Sequence, residues 1–363
     1  MKICRLRRLS HPTLLLSLIF PFCALPLAKA QTVSPQFFSD LRWRLVGPFR
    51  AGRVVAVSGV PGSDTTYYFG GVDGGVWKTT DAGTVWQPTF DQEPVASIGA
   101  LAVAPSDPNV IYAGTGESDI RSDLASGDGM YRSDDAGATW KHIGLDDSRQ
   151  ISRILVDPSD PRIVYVGALG HAYGPNDERG VYKSTDGGEH WRHVLNKGSD
   201  VGIADLAIAI HQPQILFATT WNAHRPPWST YAPLEGAGNA LYRSTDGGEH
   251  WTQISGHGLP DATWGRTGIA VSADGRRVYV TIDCKGHAGL YRSDDGGDSW
   301  TLASSDARLT SRAWYFNSIA IDPNNADVLY MPNVALYRTE DGGKTIEIVR
   351  GAPGGRRLPP GLD

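Results

Sequence analysis

The sequence predicts an all-β fold, a β-propeller of four-stranded antiparallel blades in which six blades can be recognised. Three observations support this prediction: a turn motif that recurs six times, pairs of short apolar strands before most copies, and richness in glycine and tryptophan. The 363 residues include 43 Gly and 11 Trp, and 40% of the chain is apolar. That apolar content suffices for a core, and no long segment keeps the apolar spacing of an amphipathic helix.

The first 30 residues are predicted to be a secretory signal peptide. A basic start that includes Lys2 and Arg5 is followed by an apolar stretch from Leu14 to Leu27. Ala28-Lys29-Ala30 then gives a small-x-small cleavage signal. The apolar stretch is too short to span a membrane. We therefore expect a secreted or periplasmic protein with no membrane attachment after cleavage.

Removal of this leader changes the charge and the cysteine content. Residues 1–30 carry five basic and no acidic side chains, so 29 basic residues remain against 39 acidic ones, a net charge of −10. A nucleic-acid-binding protein would show a basic excess, so no nucleic-acid partner is expected. Cys284 is the only cysteine left and cannot form an internal disulfide. We expect Cys284 to be a small buried residue. We also expect the protein to be a monomer.

The recurring motif, here called the boxed turn, reads Ser/Thr-x-Asp-x-Gly-x-x-Trp after an apolar–aromatic pair and a basic residue. The first copy runs from Thr79 to Trp86, and the sixth ends in Ile346 instead of Trp. Successive aspartates lie 46 to 60 residues apart, a period typical of repeated supersecondary units. The carboxylate can accept backbone N–H groups in the turn, and Gly supplies a conformation that other residues resist. Six aspartates are therefore expected to be structural: Asp81, Asp135, Asp186, Asp246, Asp295 and Asp341.

Each repeat is predicted to contain four strands. A short apolar strand such as Ile154–Val156 is followed by a turn and a second strand such as Ile163–Val166. A Tyr-Arg/Lys strand, the boxed turn and a last strand complete the unit, which favours radial blades over a solenoid. We expect the propeller to span residues 31–349, with an irregular tail at 350–363. Arg42–Val46 is a candidate strand for closing the ring.

The boxed turns resemble Asp-box repeats, also called bacterial neuraminidase (BNR) repeats. The chain resembles, more specifically, large secreted bacterial "glycosyl hydrolase, BNR repeat" proteins, which share a sortilin-type propeller. The resemblance covers residues 41 to about 355 and rests also on Gly47–Val54, Gly70–Lys78, Gly114–Ser118 and Gly174–Val181. Members of that family usually continue further. One alternative is therefore a truncated chain lacking a seventh blade, and the other is a six-bladed ring with a disordered tail.

Ligand-binding candidates come from the loops that a propeller gathers at one mouth. These are the loops entering the innermost strands and the loops joining the second and third strands of each blade. Arginines combined with aromatic residues suit carboxylate capture and sugar stacking. The candidates are Arg50, Arg53, Arg121, His171, Arg179, Trp221, Arg225, Trp228, Arg266, Arg312 and Tyr315.

Glycoside hydrolysis would need two carboxylates about 5–9.5 Å apart. The candidates are Glu117, Glu178 and Asp73, with Asp119 as a further loop carboxylate. The alternative is that Glu117 and Glu178 form ion pairs that fix long loops. Xyloglucan hydrolases place a catalytic Asp at the start of an Asp-Ile-Gly-Gly turn, and the resemblance puts Val72 there, one residue before Asp73. No zinc cluster or phosphate loop occurs in the sequence, so no metal or cofactor is expected.

Two functional hypotheses follow from these residues. The leading one is an exported propeller that binds a glycan or peptide ligand through its mouth loops, because arginines and aromatics are present without a complete acid–base pair. The alternative is a glycoside hydrolase acting on a polysaccharide, or a truncated inactive fragment of one.

Overall fold

The computed structural model describes Ser34 and residues 52–121, 123–226, 228 and 236–350. The predicted signal peptide, the candidate closing strand Arg42–Val46, Arg50 and the tail from residue 351 lie outside the described residues. Within the described ranges the chain forms 24 β-strands and short 3₁₀ turns, with no α-helix. The strands build six four-stranded antiparallel sheets, which confirms the predicted propeller.

Each blade is an antiparallel meander in which consecutive strands pair. The strands are, blade by blade, β1 Val54–Gly59, β2 Tyr67–Gly71, β3 Gly75–Thr79 and β4 Gln87–Pro88; β5 Ile98–Ala104, β6 Asp107–Thr115, β7 Met130–Ser133 and β8 Lys141–His142; β9 Ile151–Val156, β10 Val164–Ala168, β11 Gly180–Ser184 and β12 Arg192–Leu195; β13 Gly202–Ile208, β14 Leu216–Trp221, β15 Leu241–Ser244 and β16 Thr252–Ile254; β17 Gly268–Val271, β18 Val278–Ile282, β19 Gly289–Ser293 and β20 Thr301–Ser304; β21 Ala320–Asp322, β22 Asn325–Pro332, β23 Leu336–Thr339 and β24 Glu347–Ile348.

The first strand of each blade is innermost. Residues at or next to β1, β5, β9, β13, β17 and β21 line a central channel of about 280 Å³. Arg153 and Asp205 face each other there with an N–O distance of 3.2 Å, and Asp205 Oδ2 also accepts the backbone N–H of Ile269. Burial raises the pKa of Asp205, while Arg153 acts in the opposite direction. These contacts join the inner strands of blades 3, 4 and 5.

The boxed turn is a compact hydrogen-bond network. In blade 3, Ser184 Oγ donates to Asp186 Oδ1 over 2.7 Å and accepts the N–H of Gly188 over 2.8 Å. Asp186 Oδ1 also accepts the N–H of His190 over 3.0 Å. The same three bonds occur in every boxed turn. Such donors favour the ionised carboxylate, and those from Thr139 lower the pKa of Asp135 to about 2.

Neighbouring blades are joined at the carbonyl that follows the boxed aspartate, a contact here called the interblade latch. From blade 3, Tyr165 OH and Lys183 Nζ both donate to Gly247 O in blade 4, over 2.8 and 2.7 Å. Three other boxed-turn carbonyls accept similar hydrogen bonds from side chains of the preceding blade. Tyr68 and Lys78 donate to Ala136 O, Arg132 donates to Gly187 O, and Arg243 donates to Gly296 O. The latch therefore recurs between blades 1 and 2, 2 and 3, 3 and 4, and 4 and 5.

Apolar clusters fill the spaces between adjacent sheets. The cluster between blades 4 and 5 includes Phe217 and Trp300. Cys284 belongs to the same cluster and is 3% exposed. Two tryptophans of the boxed turns also bond the preceding blade: Trp140 Nε1 donates to Thr89 O over 2.8 Å and Trp191 Nε1 to Ile143 O over 2.7 Å.

We predict that Ser184→Ala lowers the free energy of unfolding by about 1–3 kcal/mol, because the buried N–H of Gly188 loses its acceptor. Denaturant unfolding monitored by tryptophan fluorescence measures the change. Ser305→Ala, at an exposed serine outside the boxed turns, is the matched control and should change stability little. Equal stability of the two variants would contradict a stabilising role for the boxed-turn hydroxyl.

Candidate functional site

The candidate site lies at the mouth, the end where each innermost strand begins. Segments entering β1, β9, β17 and β21 meet the loops that join β2 to β3, β6 to β7, β10 to β11 and β14 to β15. At the first of these meetings, Val72 N donates to Arg53 O over 2.8 Å. This bond fixes the entry to β1 beside the β2–β3 turn.

Glu117 is a fully buried carboxylate held by an arginine from another blade. Both of its oxygens accept from Arg53 Nη2, over 2.7 and 2.8 Å. Burial raises the pKa of Glu117, and the Arg53 guanidinium opposes that rise. The Arg53 side chain is 30% exposed and also lies 3.5 Å from Asp123. Arg53 and Glu117 therefore form a loop-fixing ion pair, as the alternative interpretation of Glu117 expected.

A second arginine–carboxylate pair fills the centre of the mouth. Arg266 Nη1 donates to Asp119 Oδ1 over 2.8 Å and to Tyr315 O over 2.9 Å. Its guanidinium carbon lies 5.4 Å from the centre of the Trp221 ring, a distance typical of a cation–π contact. Arg121 lies 5.9 Å from the Tyr315 ring. Loops of blades 2, 4, 5 and 6 therefore converge on one network.

Trp221 does not offer its ring to a ligand, which corrects its interpretation as a loop residue. It is the last residue of β14 and is fully buried. Its side chain packs in a cluster with Ile120, Leu169 and Ala204, below the mouth loops. The indole therefore supports the loops from inside and has no face available for sugar stacking.

Arg179 is also buried and organises a loop instead of facing a ligand. Its guanidinium donates to Leu169 O over 2.7 Å, to Gly174 O over 3.0 Å and to His171 O. Burial lowers its pKa to about 10. Because these three carbonyls belong to the β10–β11 loop, Arg179 sets the conformation of the segment that carries His171 and Tyr173.

Glu178 lies in a different network from Glu117. Its Oε2 accepts the backbone N–H of Asp147 over 2.8 Å, and burial raises its pKa. The same Asp147 side chain lies 2.9 Å from His171 Nε2. Glu178 therefore accepts a hydrogen bond from a backbone amide. The loop-fixing alternative had expected an ion pair between Glu178 and an arginine.

Asp73 is the exposed carboxylate of the β2–β3 turn, whereas the preceding Val72 is fully buried. The one-residue offset from the Asp-Ile-Gly-Gly pattern thus places an apolar side chain inside the protein and the carboxylate in solvent. Trp77 Nε1 closes this turn by donating to Gly74 O over 2.7 Å. Asp73 is therefore accessible to a ligand at the mouth.

The remaining candidates divide between buried and exposed positions. Arg225 is buried, and its backbone N–H donates to Ala172 O over 2.6 Å. Trp228 is 88% exposed. Arg312 is exposed and lies over the rings of Trp314 and Tyr315 at 5.4 and 5.6 Å.

Sequence reasoning missed Asp147, Arg149 and Gln150, which enter the mouth just before β9. A 3₁₀ turn at Asp146–Ser148 positions them, and no local motif marks their role. Their place in a loop entering an innermost strand was the available signal.

Within the described ranges, no group of three or more His, Cys, Asp or Glu residues is arranged to hold a metal ion. Among the same residues, no helix has the length and apolar character that a membrane crossing needs.

Comparison with known proteins relates the chain to xyloglucan-degrading enzymes. No family model matches the sequence. A xyloglucanase from Paenibacillus is 27% identical over 314 residues, covering 75% of this chain and 29% of the relative. Xyloglucanase Xgh74A from Acetivibrio thermocellus is 24% identical over 315 residues, covering 75% of this chain and 35% of the relative.

A solved structure supports the same fold. The GH74 xyloglucanase from Xanthomonas campestris superposes with a TM-score of 0.59 at 19% identity, covering 80% of this chain and 45% of that structure. At this identity the likeness concerns the fold alone. The chain spans about a third of the length of the curated relatives it matches. Its homologues are thus glycoside hydrolases, and the fold it shares with one of them is a β-propeller.

We predict that Arg53→Met destabilises the protein by about 3 kcal/mol at pH 7, because Glu117 is left as an unpaired buried carboxylate. Removing the cation raises the pKa of Glu117 further above its value in the unfolded chain. As the pH falls, Glu117 in the folded variant takes up a proton, which removes the unpaired buried charge. The loss of unfolding free energy caused by Arg53→Met should therefore be smaller at pH 5 than at pH 7 and should grow as the pH rises. Denaturant unfolding at both pH values measures it.

The double variant Arg53→Met/Glu117→Gln is the control, because it removes the charge that would be stranded. It should be more stable at pH 7 than Arg53→Met alone and should lose the added pH dependence. If Arg53→Met and the double variant had equal free energies of unfolding at both pH values, the result would contradict the ion-pair account.

Proposed function

We propose that this chain is the propeller of a glycoside hydrolase that acts on xyloglucan or a closely similar polysaccharide, bound across the mouth. The observation that carries the proposal is the match over 75% of the chain to proteins named xyloglucanases. The Asp-box and sortilin-type character of the repeats belongs to the same proposal. This reading replaces plain ligand binding as the leading hypothesis.

The mouth supports the choice of Asp73 as a carboxylate that acts on substrate. Glu117 and Asp119 are each paired with an arginine and have little exposure, so neither is available to protonate a glycosidic oxygen or activate water. Asp73 is exposed in its turn. Hydrolysis by two carboxylates would use Asp73 as one member of the pair.

Export is a further part of the proposal. The basic start, apolar stretch and cleavage signal in residues 1–30 would carry the protein out of the cytoplasm. A secreted or periplasmic location suits an enzyme whose polymeric substrate lies outside the cell.

A second candidate function is binding of a glycan or peptide without cleavage. The neutralisation of Glu117 and Asp119 by arginines favours it, because two mouth carboxylates are thereby committed to holding loops. Binding without release of reducing ends would support this second function over the first.

We predict that Asp73→Asn lowers the rate of xyloglucan hydrolysis at least about 100-fold, since removing a catalytic proton-transfer group costs 10²–10⁴ in rate. Release of reducing ends measures hydrolysis, and gel retardation by immobilised xyloglucan measures binding. Asp64→Asn, at an exposed aspartate in the β1–β2 turn at the opposite end of blade 1, is the matched control. Full hydrolysis by Asp73→Asn would contradict the role given to Asp73, and a wild-type chain that neither binds nor cleaves xyloglucan would contradict the proposed function.

A further inference from the structure

A groove of about 330 Å³ lies on the mouth face between blades 2 and 3. One wall comes from Leu124 and Ser126 in the β6–β7 loop, and another from Arg149 and Gln150 just before β9. The β10–β11 loop forms the third wall with residues 171–174. The volume is at the low end of the range of small-molecule sites, which is about 300–1,000 Å³. The groove is thus large enough for a small ligand or one unit of a chain.

Gln150 supplies an unused polar group at this groove. Its residue is 1% exposed, yet within the described residues its side-chain Oε1 accepts no hydrogen bond. A buried acceptor without a donor is unfavourable, and nearly all such groups in folded proteins are paired. A ligand hydroxyl is a donor of the kind that Oε1 lacks.

The backbone beside Gln150 is held in a rare conformation. Arg149 has φ 58° and ψ −40°, and the N–H of Gln150 donates to Ser148 O over 2.6 Å across it. This three-residue turn is strained for a residue with a side chain. Arg149 O is fixed in place by the N–H of Gly127 at 2.8 Å. The surrounding contacts therefore enforce a turn that keeps the Arg149 side chain 45% exposed beside the groove.

Tyr173 offers an aromatic surface on the opposite wall. Its side chain is 52% exposed and lines the groove. The loop is fixed by Arg179, which donates to the carbonyls of His171 and Gly174, and by Asn176, which bonds His171 N and Asp147 O over 2.9 Å each. The position of the ring is thus set before any ligand binds.

The arginine beside the groove is already paired, which favours a neutral ligand over an anion. Asp147 lies 2.9 Å from His171 Nε2 and 3.5 Å from Arg149 Nε, so the Arg149 guanidinium already has an anionic neighbour. Glu178 adds a second carboxylate next to Asp147. An anion would meet these carboxylates, whereas a neutral polyhydroxyl ligand could donate to Gln150 and accept from Arg149.

We propose that this groove is a saccharide-binding subsite in which Tyr173 stacks on a pyranose ring while Gln150 and Arg149 bond its hydroxyls. The electron-rich face of an aromatic ring attracts the weakly positive C–H groups on one face of such a sugar. The inference deepens the proposed function, because it gives a binding position for one unit of the polysaccharide. Tyr173, Gln150 and Arg149 are binding residues here, and Arg179 is a positioning residue.

The test is calorimetric titration of the full chain with cellotetraose and with a xyloglucan heptasaccharide. Tyr173→Ala should weaken binding of the preferred oligosaccharide at least tenfold, whereas Tyr173→Phe, which keeps the ring, should bind within about threefold of the parent. The matched control is Tyr67→Ala, which removes a 40% exposed tyrosine at the start of β2, far along the chain from the groove. Thermal melts of the three variants verify folding.

Failure of the subsite and failure of the proposed function give different results. Oligosaccharide binding that Tyr173→Ala leaves unchanged, or that Tyr67→Ala weakens equally, would overturn the subsite while xyloglucan cleavage could still proceed. Binding of cellotetraose that depends on Tyr173, without any cleavage of xyloglucan, would support the subsite and contradict the proposed function. Absence of binding to either oligosaccharide would overturn the subsite.

Discussion

The carbonyl that follows the boxed aspartate accepts the hydrogen bonds that tie each of blades 1 to 4 to the next blade. The serine and aspartate of the turn hold its backbone, so that Gly247 O points to the preceding blade and receives both Tyr165 and Lys183. The motif thus does more than close a hairpin. Because a hydrogen bond from a charged group is stronger than a neutral one, each latch ties two adjacent sheets to each other. The loops at the mouth are attached to sheets that are joined in this way.

The mouth is organised by buried charge pairs between those loops. Arg53 with Glu117 and Arg266 with Asp119 connect blades 1, 2 and 5. The arginines neutralise the carboxylates of Glu117 and Asp119. These two carboxylates are therefore not free to act as acids or bases, but their ion pairs fix the surrounding loops. Groups that remain open to solvent, such as Asp73 and Tyr173, lie in turns and loops attached to this network. The interior of the mouth is therefore structural, and the groups left accessible lie in its turns and grooves.

The repeat could be predicted because its determinants are local: Ser, Asp and Gly within one turn bond each other, whatever surrounds them. The strand cores were also predictable, although β9 begins at Ile151, three residues before the predicted Ile154, because Ile151 pairs with Ala168. The site was harder to predict. Trp221 and Arg179 have residue types suited to binding, but their burial depends on contacts between loops of different blades. No local motif marks Gln150, because its significance lies in a side-chain oxygen that has no hydrogen-bond donor.

The most direct test of this account is amide hydrogen exchange of the Tyr165→Phe/Lys183→Met variant, which removes both donors to Gly247 O. The account predicts faster exchange in blade 4, including the N–H of Gly248 that its boxed turn holds, while blade 1 keeps its protection. A change confined to blade 3, with blade 4 protected as in the parent protein, would contradict the claim that the latch couples one blade to the next.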